Sequence, residues 1–258
     1  MGEKLIENFC IGNANKINTL VFHKITNTSL NWEDVSKNFF EEVLNEIEST
    51  WKISGEIKSY KSNGGILTFD DGNSSDYEIV FPMLIKRKIN AIFFLIVDKV
   101  GNKGYLNWPQ IKEMHKYGMT FGSHGFSHRA LSKLSCKDAQ DEFIKSKLIL
   151  EDALGSSVKC FSYPYGDYTK ESHKIGLSAG YDFLFTSDHG ISNKNSKILP
   201  RNNIHSGLDL KNILKIINPG FSLQLNWMIE DKLKTIIKKS IGMDKYKKIR
   251  NKIFQNSK

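Results

Sequence analysis

Short β-rich runs alternate with helical patterns along most of this chain of 258 residues. Strands that alternate with helices predict βαβ units and a parallel sheet. About seven strands in this alternation suit a barrel, whose active site lies at the C-terminal ends of the strands. The predicted strands cover residues 19–23, 66–69, 91–97, 119–122, 158–162, 183–186 and 199–204. The predicted helices cover residues 32–49, 74–88, 108–117, 137–154 and 169–179.

Two polar motifs follow predicted strands. The motif T-F-D-D-G ends an apolar strand in Asp70, Asp71 and Gly72, and the motif S-H-G-F-S-H supplies the imidazoles of His124 and His128. One carboxylate and two histidines form a three-ligand set that leaves a divalent metal open to water. The second carboxylate is then free to act as a base beside that water. Each motif alone is weak, because turns and surface histidines are common, but the ordered combination is specific.

At these residues the chain resembles the polysaccharide deacetylases, which share the NodB homology domain. That family carries T-F-D-D-G, then H-[ST]-x-x-H, then a motif that ends in P-Y-G, which here reads F-S-Y-P-Y-G at residues 161–166. The resemblance covers roughly residues 18–205 and includes F-H-K-I at residues 22–25. It implies a distorted (β/α)7 barrel and a carbohydrate deacetylase activity.

The resemblance also implies roles for individual residues. Asp71, His124 and His128 are expected to bind the metal, and Asp70 is expected to act as the general base. Such a donor set suits Zn²⁺, with Co²⁺ or Ni²⁺ as alternatives. The backbone N–H of Tyr165, in the P-Y-G turn, is expected to face the oxyanion of the tetrahedral intermediate.

The third motif departs from the family at Ser162, where many members carry an arginine that pairs with the aspartate base. We expect Arg201, from the last predicted strand, to replace that cation, with a surface arginine as the alternative. The resemblance implies a late histidine as the proton donor, and His205 is the nearest candidate. His23 and His189 are alternatives for the same role.

Positive charge is concentrated at the C-terminus. The chain carries a net charge of +9, and the segment from Glu230 to Lys258 holds +7 of it, with ten Lys or Arg residues against three acidic ones. The nearly neutral remainder argues against a basic nucleic-acid cleft. The helical spacing of Leu233, Ile236 and Ile237 predicts a basic amphipathic tail over residues 219–258, after a barrel domain over residues 1–218. This tail is expected either to adsorb to anionic lipid or to cover the barrel or an oligomer interface.

Composition and the first residues predict a cytoplasmic protein. Hydrophobic residues make up 40% and charged residues 25% of the chain, as in soluble globular proteins. The first residues show no basic region followed by a long apolar stretch. The cysteines Cys10, Cys136 and Cys160 have no metal-like spacing, which favours reduced thiols.

The sequence thus predicts a metal-dependent deacetylase that hydrolyses an N-acetyl group, or alternatively an O-acetyl group, on a sugar. A nucleotide-linked or lipid-linked glycan precursor at the inner membrane surface is the expected substrate. Two other classes remain open. One is a catalytically inactive barrel that binds glycans, suggested by Ser162 and by the uncertain proton donor. The other is a nucleic-acid binder that works through the tail.

Overall fold

The computed structural model describes residues 16–27, 31–53 and 64–242, with residues 245–246, 248–249 and 252 beyond them. Cys10 and the first residues, on which the predicted cytoplasmic location rests, lie outside these residues. The described strands are β1 (Lys16–Phe22), β2 (Ile25–Thr26), β3 (Val35–Ser36), β4 (Lys52–Ile53), β5 (Gly64–Phe69), β6 (Ile92–Leu95), β7 (Thr120–Ser123), β8 (Cys160–Ser162), β9 (Phe183–Phe185), β10 (Ile191–Asn193), β11 (Ile198–Leu199) and β12 (Asn202–Asn203). The described α-helices are α1 (Lys37–Thr50), α2 (Phe81–Arg87), α3 (Trp108–Lys116), α4 (Cys136–Leu154), α5 (Lys170–Ser178), α6 (Leu210–Ile217) and α7 (Phe221–Ile241).

The main sheet is a nearly closed barrel of parallel strands. Strands β1, β5, β6, β7, β8 and β9 pair in that order, each parallel to the next. Strand β11 pairs with β9, and β12 pairs with β1 on the other side, so the two short strands together take the seventh parallel position. Strand β10 adds an antiparallel eighth strand on β1. The predicted distorted (β/α)7 barrel is therefore confirmed.

The central strands of the barrel are buried on both faces. Every residue of β5 and β6 is buried, because helices cover the outer face of a parallel sheet and the packed interior covers the other. Aromatic rings continue the packing from strand to strand. The ring of Phe69 stacks on that of Phe22 at 5.3 Å and on that of Phe93 at 4.9 Å.

Three predicted elements depart most from the structure, each for a local reason. The last predicted strand is split into β11 and β12 because Pro200 has no N–H for the ladder. The helix predicted over residues 74–88 begins at residue 74 but contains a π-helical segment, Asp76–Val80, in which the Phe81 N–H reaches the Asp76 carbonyl. Pro82 follows at the start of α2 and cannot donate a helical hydrogen bond. The helix predicted from residue 32 begins only after Ser36, whose side chain accepts the Phe39 N–H as an N-cap.

The last described helix, α7, lies against the barrel. Its Gln224 and Trp227 side chains are buried, and the Trp227 ring stacks on His189 at 5.8 Å. Asp231, one turn further on, accepts hydrogen bonds from the His189 backbone at 2.7 Å and from its ring at 2.9 Å. The predicted boundary between residues 218 and 219 falls just before this helix and stays a prediction. No helix in the described part of the chain has the length and apolarity needed to cross a bilayer.

Candidate active site

A left-handed turn at the end of β5 places two neighbouring carboxylates on the same side. Asp70 and Asp71 would point to opposite faces if the strand continued. The strand stops, however, and Asp71 and Gly72 take φ values of 80° and 72°. A β-carbon at Gly72 would lie 2.7 Å from a methyl group of Leu95, so this position needs glycine for both its backbone and its space.

Arg201 binds the Asp70 carboxylate with both arms of its guanidinium. Its Nη1 lies 2.7 Å from Oδ1 and its Nη2 lies 2.7 Å from Oδ2, and both side chains are buried. The Ser162 hydroxyl accepts from Nη2 at 2.7 Å and donates to Asp70 at 3.2 Å. The remaining donors of Arg201 reach the Thr186 carbonyl and the Thr68 hydroxyl, so the buried cation is fully surrounded by acceptors.

This arrangement keeps Asp70 ionised. Burial alone would raise the pKa of the Asp70 carboxyl, but the positive charge and hydrogen bonds of Arg201, with a contribution from His124, outweigh burial. The pKa of Asp70 is therefore held well below its usual range. The cation that a family arginine would supply at position 162 comes from position 201, and the small Ser162 side chain leaves room for it.

Hydrogen bonds to a side chain of α4 hold the loop that carries the two histidines. The Glu142 carboxylate accepts hydrogen bonds from the Ser127 N–H, the Ser127 hydroxyl and the Arg129 side chain. The His124 Nδ1 lies 2.8 Å from the Ser162 carbonyl. Because a carbonyl can only accept, Nδ1 carries the proton and the Nε2 lone pair is left for a ligand. His128 takes a left-handed backbone conformation with φ of 60°, which turns its ring toward His124 at 4.8 Å.

Asp71, His124 and His128 form a group of donors that could hold a metal ion. One donor atom from each lies within 4.8 Å of the others. The Nε2 atoms of the two histidines are each 3.6 Å from the same Asp71 oxygen. Two ligands that share a tetrahedral zinc ion at about 2.1 Å lie about 3.4 Å apart, so the spacing and the donor types fit a divalent transition metal.

The charge balance of this cluster also favours a cation. Burial, opposed by the neighbouring His23 and His124, raises the pKa of Asp71 above its ordinary value. The adjacent Asp70 charge raises the pKa further. A cation bound at Asp71 would relieve both effects, because it compensates the carboxylate charge in a partly dry site.

Tyr165 lies at the edge of the cluster in the turn after β8. Its φ is 62°, and its ring lies 4.4 Å from that of His128. Four non-glycine residues in the described part of the chain have positive φ, and three of them are Asp71, His128 and Tyr165. Strained backbone of this kind concentrates at functional sites, where the surrounding structure holds it in place.

A cleft of about 560 Å³ opens over the cluster at the C-terminal ends of the strands. All the residues predicted for the site line this cleft except Arg201, which lies beneath its floor. The three histidines proposed as proton donors, His23, His189 and His205, line it as well. His23 is close enough to Asp70 and Asp71 for its charge to affect the pKa of each.

The other two histidines have different surroundings. His205 stacks on Trp32 at 4.0 Å, and its Nδ1 accepts the Gly207 N–H at 3.1 Å. Neutral His205 therefore carries its proton on Nε2. His189 is hydrogen-bonded to Asp231 of α7.

Several residues of the cleft were not found from sequence. Glu230 and Lys234 of α7 form part of its wall, together with Tyr246 beyond that helix. The amphipathic tail was predicted from the spacing of apolar residues and the net positive charge of this segment. The spacing of Trp227, Asp231 and Lys234 by three and four residues is a second helical pattern, and it could have indicated the face that meets the barrel.

The fold and the site together define a class: an α/β barrel protein with two histidines and two carboxylates, a candidate metal site, at the C-terminal mouth of its parallel strands. Comparison with known proteins then identifies the family. The polysaccharide deacetylase family model matches residues 57–184. The domain formed by this part of the chain belongs to the polysaccharide deacetylase family.

Individual relatives agree with this assignment. The Bacillus subtilis protein YxkH is 31% identical to this chain over 129 residues, which make up half of this chain and 46% of YxkH. A poly-β-1,6-N-acetyl-D-glucosamine N-deacetylase from Staphylococcus aureus is 28% identical over 73% of both chains. In fold, the chain is similar to the deacetylase PplD of Streptococcus pyogenes, with a TM-score of 0.72 at 24% identity over 80% of this chain and all of PplD. It is also similar to IcaB of Ammonifex degensii, with a TM-score of 0.68 at 22% identity over 79% of this chain and 96% of IcaB.

Proposed function

We propose that this domain is a divalent-metal-dependent deacetylase that hydrolyses N-acetyl groups on N-acetylglucosamine units of a glycan. The observation that carries the proposal is the position of Asp70, an ionised and buried carboxylate, beside the donor cluster of Asp71, His124 and His128. Similarity to a poly-β-1,6-N-acetyl-D-glucosamine N-deacetylase supports the choice of sugar.

The donor cluster would hold the metal, with Zn²⁺ as the first candidate and Co²⁺ or Ni²⁺ as alternatives. A cation bound there would supply a Lewis acid for the amide carbonyl and would lower the pKa of water. The hydrogen bond from His124 to the Ser162 carbonyl orients the first imidazole for this role. The Glu142 contacts with the loop keep the second imidazole in place.

Asp70 is assigned as the general base that accepts a proton from the attacking water. Its lowered pKa keeps it ionised at neutral pH, although a carboxylate with so low a pKa is a weak base. Its contribution therefore rests on position. Arg201 and Ser162 fix both carboxylate oxygens, so the base cannot rotate away from the cluster.

The proton donor for the departing amine is assigned to His23. The charge of His23 acts to lower the pKa of both Asp70 and Asp71. The buried Nδ1 of His23 makes no hydrogen bond with any residue in the described part of the chain. His205, the donor expected from sequence, stacks on Trp32 at the rim of the cleft. That position suits contact with a sugar ring, and a catalytic role for His205 stays a prediction.

The backbone N–H of Tyr165 is assigned to the oxyanion that forms when water adds to the acetyl carbonyl. A fixed donor at such a position is worth about 3–4 kcal/mol in the transition state. The left-handed conformation at Tyr165 and its contact with His128 support a backbone held in one orientation at the cluster.

A catalytically inactive glycan-binding barrel is the alternative that the sequence left open. It was suggested by the serine at position 162 and by the uncertain proton donor, and the guanidinium of Arg201 on Asp70 supplies the cation that Ser162 lacks.

The test is mass spectrometry of purified, zinc-loaded protein incubated with β-1,6-linked N-acetylglucosamine oligomers. An acetylated nucleotide sugar, an N-acetylated lipid-linked sugar and an O-acetylated sugar serve as competing substrates. We expect loss of acetyl groups from the oligomer and retention of its glycosidic bonds. Binding of the oligomer with no acetyl loss from any of the four substrates would support the inactive alternative. His23→Ala should lower turnover by about 10²–10⁴-fold, and by more than His205→Ala does.

A further inference from the structure

Helix α7 has two faces with different surroundings. Gln224 and Trp227 are buried on the side that meets the barrel, and Asp231 pairs with His189 on that side. The rest of the helix surface carries apolar residues at helical spacing, which we name the outer stripe. The outer stripe consists of Phe221, Leu225, Met228, Ile229, Leu233 and Ile236.

About half of the surface of each outer-stripe side chain is exposed to solvent. The six side chains are between 44% and 59% exposed. The stripe covers fifteen helical steps, or about 22 Å of helix. Single exposed apolar residues are ordinary, but a continuous row of them marks a surface that another apolar phase or molecule covers.

The net charge of the C-terminal segment that includes part of the outer stripe indicates what covers the stripe. Lys232 is exposed within the stripe, and the chain from Glu230 onward carries a net charge of +7. A second copy of this chain would bring a second segment with the same net positive charge, which opposes association of two copies through this segment. An anionic lipid surface offers both an apolar interior for the stripe and negative charge for the lysines.

The opposite side of the same helix reaches the active-site cleft. Glu230 and Lys234 line the cleft, and they follow Ile229 and Leu233 of the outer stripe directly in sequence. A surface seated on the outer stripe would therefore be separated from the cleft by the thickness of this helix, about 10 Å.

From these observations we propose that the outer stripe of α7 is a docking surface for anionic lipid. The helix lies on the bilayer surface with its apolar residues at the boundary between headgroups and acyl chains. Docking of this kind would hold the cleft close to glycan that is attached to, or assembled at, the membrane. The proposal concerns binding and does not depend on deacetylase activity.

The experiment is co-sedimentation of the full-length protein with vesicles of phosphatidylglycerol and phosphatidylcholine, or of phosphatidylcholine alone. The test variant is Leu225→Ser/Ile229→Ser/Ile236→Ser. The matched control, Ile144→Ser/Leu148→Ser/Ile198→Ser, removes the same number of exposed leucine and isoleucine side chains from other surfaces. Circular dichroism checks that both variants are folded, and sedimentation velocity without lipid gives their oligomeric state.

We expect the wild type and the control to bind anionic vesicles, and the test variant to bind at least about tenfold more weakly. Binding should weaken as salt is raised from 0.1 M to 1 M, because the Debye length falls from about 10 Å to about 3 Å. The proposal is overturned if the wild type ignores anionic vesicles at low salt, or if both triple variants bind as the wild type does. It is also overturned if the wild type is a dimer that the stripe substitutions dissociate without changing lipid binding.

Discussion

At the scale of the residue, the site depends on one buried ion pair between distant parts of the chain. Asp70 directly follows β5 and Arg201 lies between β11 and β12, yet their side chains meet in two hydrogen bonds of 2.7 Å. A buried charge that loses its partner costs several kcal/mol, because neither water nor another cation can reach it. Arg201 therefore both supports the fold and sets the charge state of the base.

Removing Arg201 should cost more than removing the whole ion pair. We expect Arg201→Met to lower the free energy of unfolding at pH 7 by about 3–5 kcal/mol, since it leaves the Asp70 carboxylate buried without compensation. The double variant Asp70→Asn/Arg201→Met should recover part of that loss. Urea unfolding of both variants and the wild type measures the difference. Equal losses in the single and double variants would show that the ion pair is not the cause.

Asp76 is a buried carboxyl whose charge works against the fold. It is fully buried in the π-helix, and burial together with the nearby Asp71 charge raises the pKa of Asp76 well above its ordinary value. A raised folded-state pKa means that stability is fully present below the unfolded pKa of about 3.9 and is lost as the pH rises. We therefore expect Asp76→Asn to raise the melting temperature at pH 7, by about 2–4 °C for each kcal/mol gained.

The melting temperatures of Asp76→Asn and the wild type should converge as the pH falls to about 4, where both side chains are neutral. Scanning calorimetry in the presence of a chelator measures the effect without metal binding. Asp141→Asn, which changes an exposed carboxyl on α4, is the control and should leave the melting temperature unchanged. A lower melting temperature for Asp76→Asn at pH 7 would mean that the Asp76 carboxylate has a stabilising partner.

At the scale of the element, strands were easier to predict than the breaks within them. The apolar runs of β5 and β6 are buried on both faces, so their sequence alone marks them as parallel strands. The split between β11 and β12 and the π-helix before α2 both involve prolines inside otherwise regular patterns. The antiparallel strand β10 was missed, because three residues of mixed polarity carry no periodic signal.

The docking of α7 should weaken in acid. Burial would raise the pKa of Asp231, but hydrogen bonds and positive charge from His189, together with Lys234, lower it below its ordinary value. A lowered folded-state pKa contributes stability that is present above the unfolded pKa of about 3.9 and is lost as the pH falls through the folded value. Hydrogen exchange in α7 should therefore accelerate below about pH 4 relative to exchange in β5 and β6.

The variant Asp231→Asn should show the same loosening at neutral pH, with a cost of about 1–2 kcal/mol for the charged hydrogen bonds. Mass spectrometry of exchanged peptides separates α7 from the barrel. The control is Asp152→Asn, an exposed carboxyl on α4. Faster exchange in α7 for both variants, or for neither, would contradict a specific role of Asp231.

At the scale of the whole molecule, the barrel and its C-terminal mouth were predictable, whereas the contribution of α7 to the cleft wall was not. Each site motif follows a strand, and parallel topology brings strand ends to one mouth, so the order of the motifs predicts their meeting. The helical spacing of Trp227, Asp231 and Lys234 marks the face of α7 that meets the barrel, but it does not show that this helix forms a wall of the mouth. Glu230 and Lys234, which follow the barrel in sequence, line the same cleft as His23, which lies near its start. The predicted location at the inner face of a membrane stays a prediction.

Release of acetate by metal-free and zinc-reconstituted protein, with the β-1,6-linked N-acetylglucosamine oligomer as substrate, tests the central claim most directly. We expect the chelated wild type to release no acetate and Zn²⁺ to restore its turnover. Asp70→Asn should bind Zn²⁺ through Asp71, His124 and His128 yet turn over at least about 10²-fold more slowly, because the amide cannot accept a proton from water. Full turnover by the metal-free wild type, or wild-type turnover by zinc-loaded Asp70→Asn, would contradict the account.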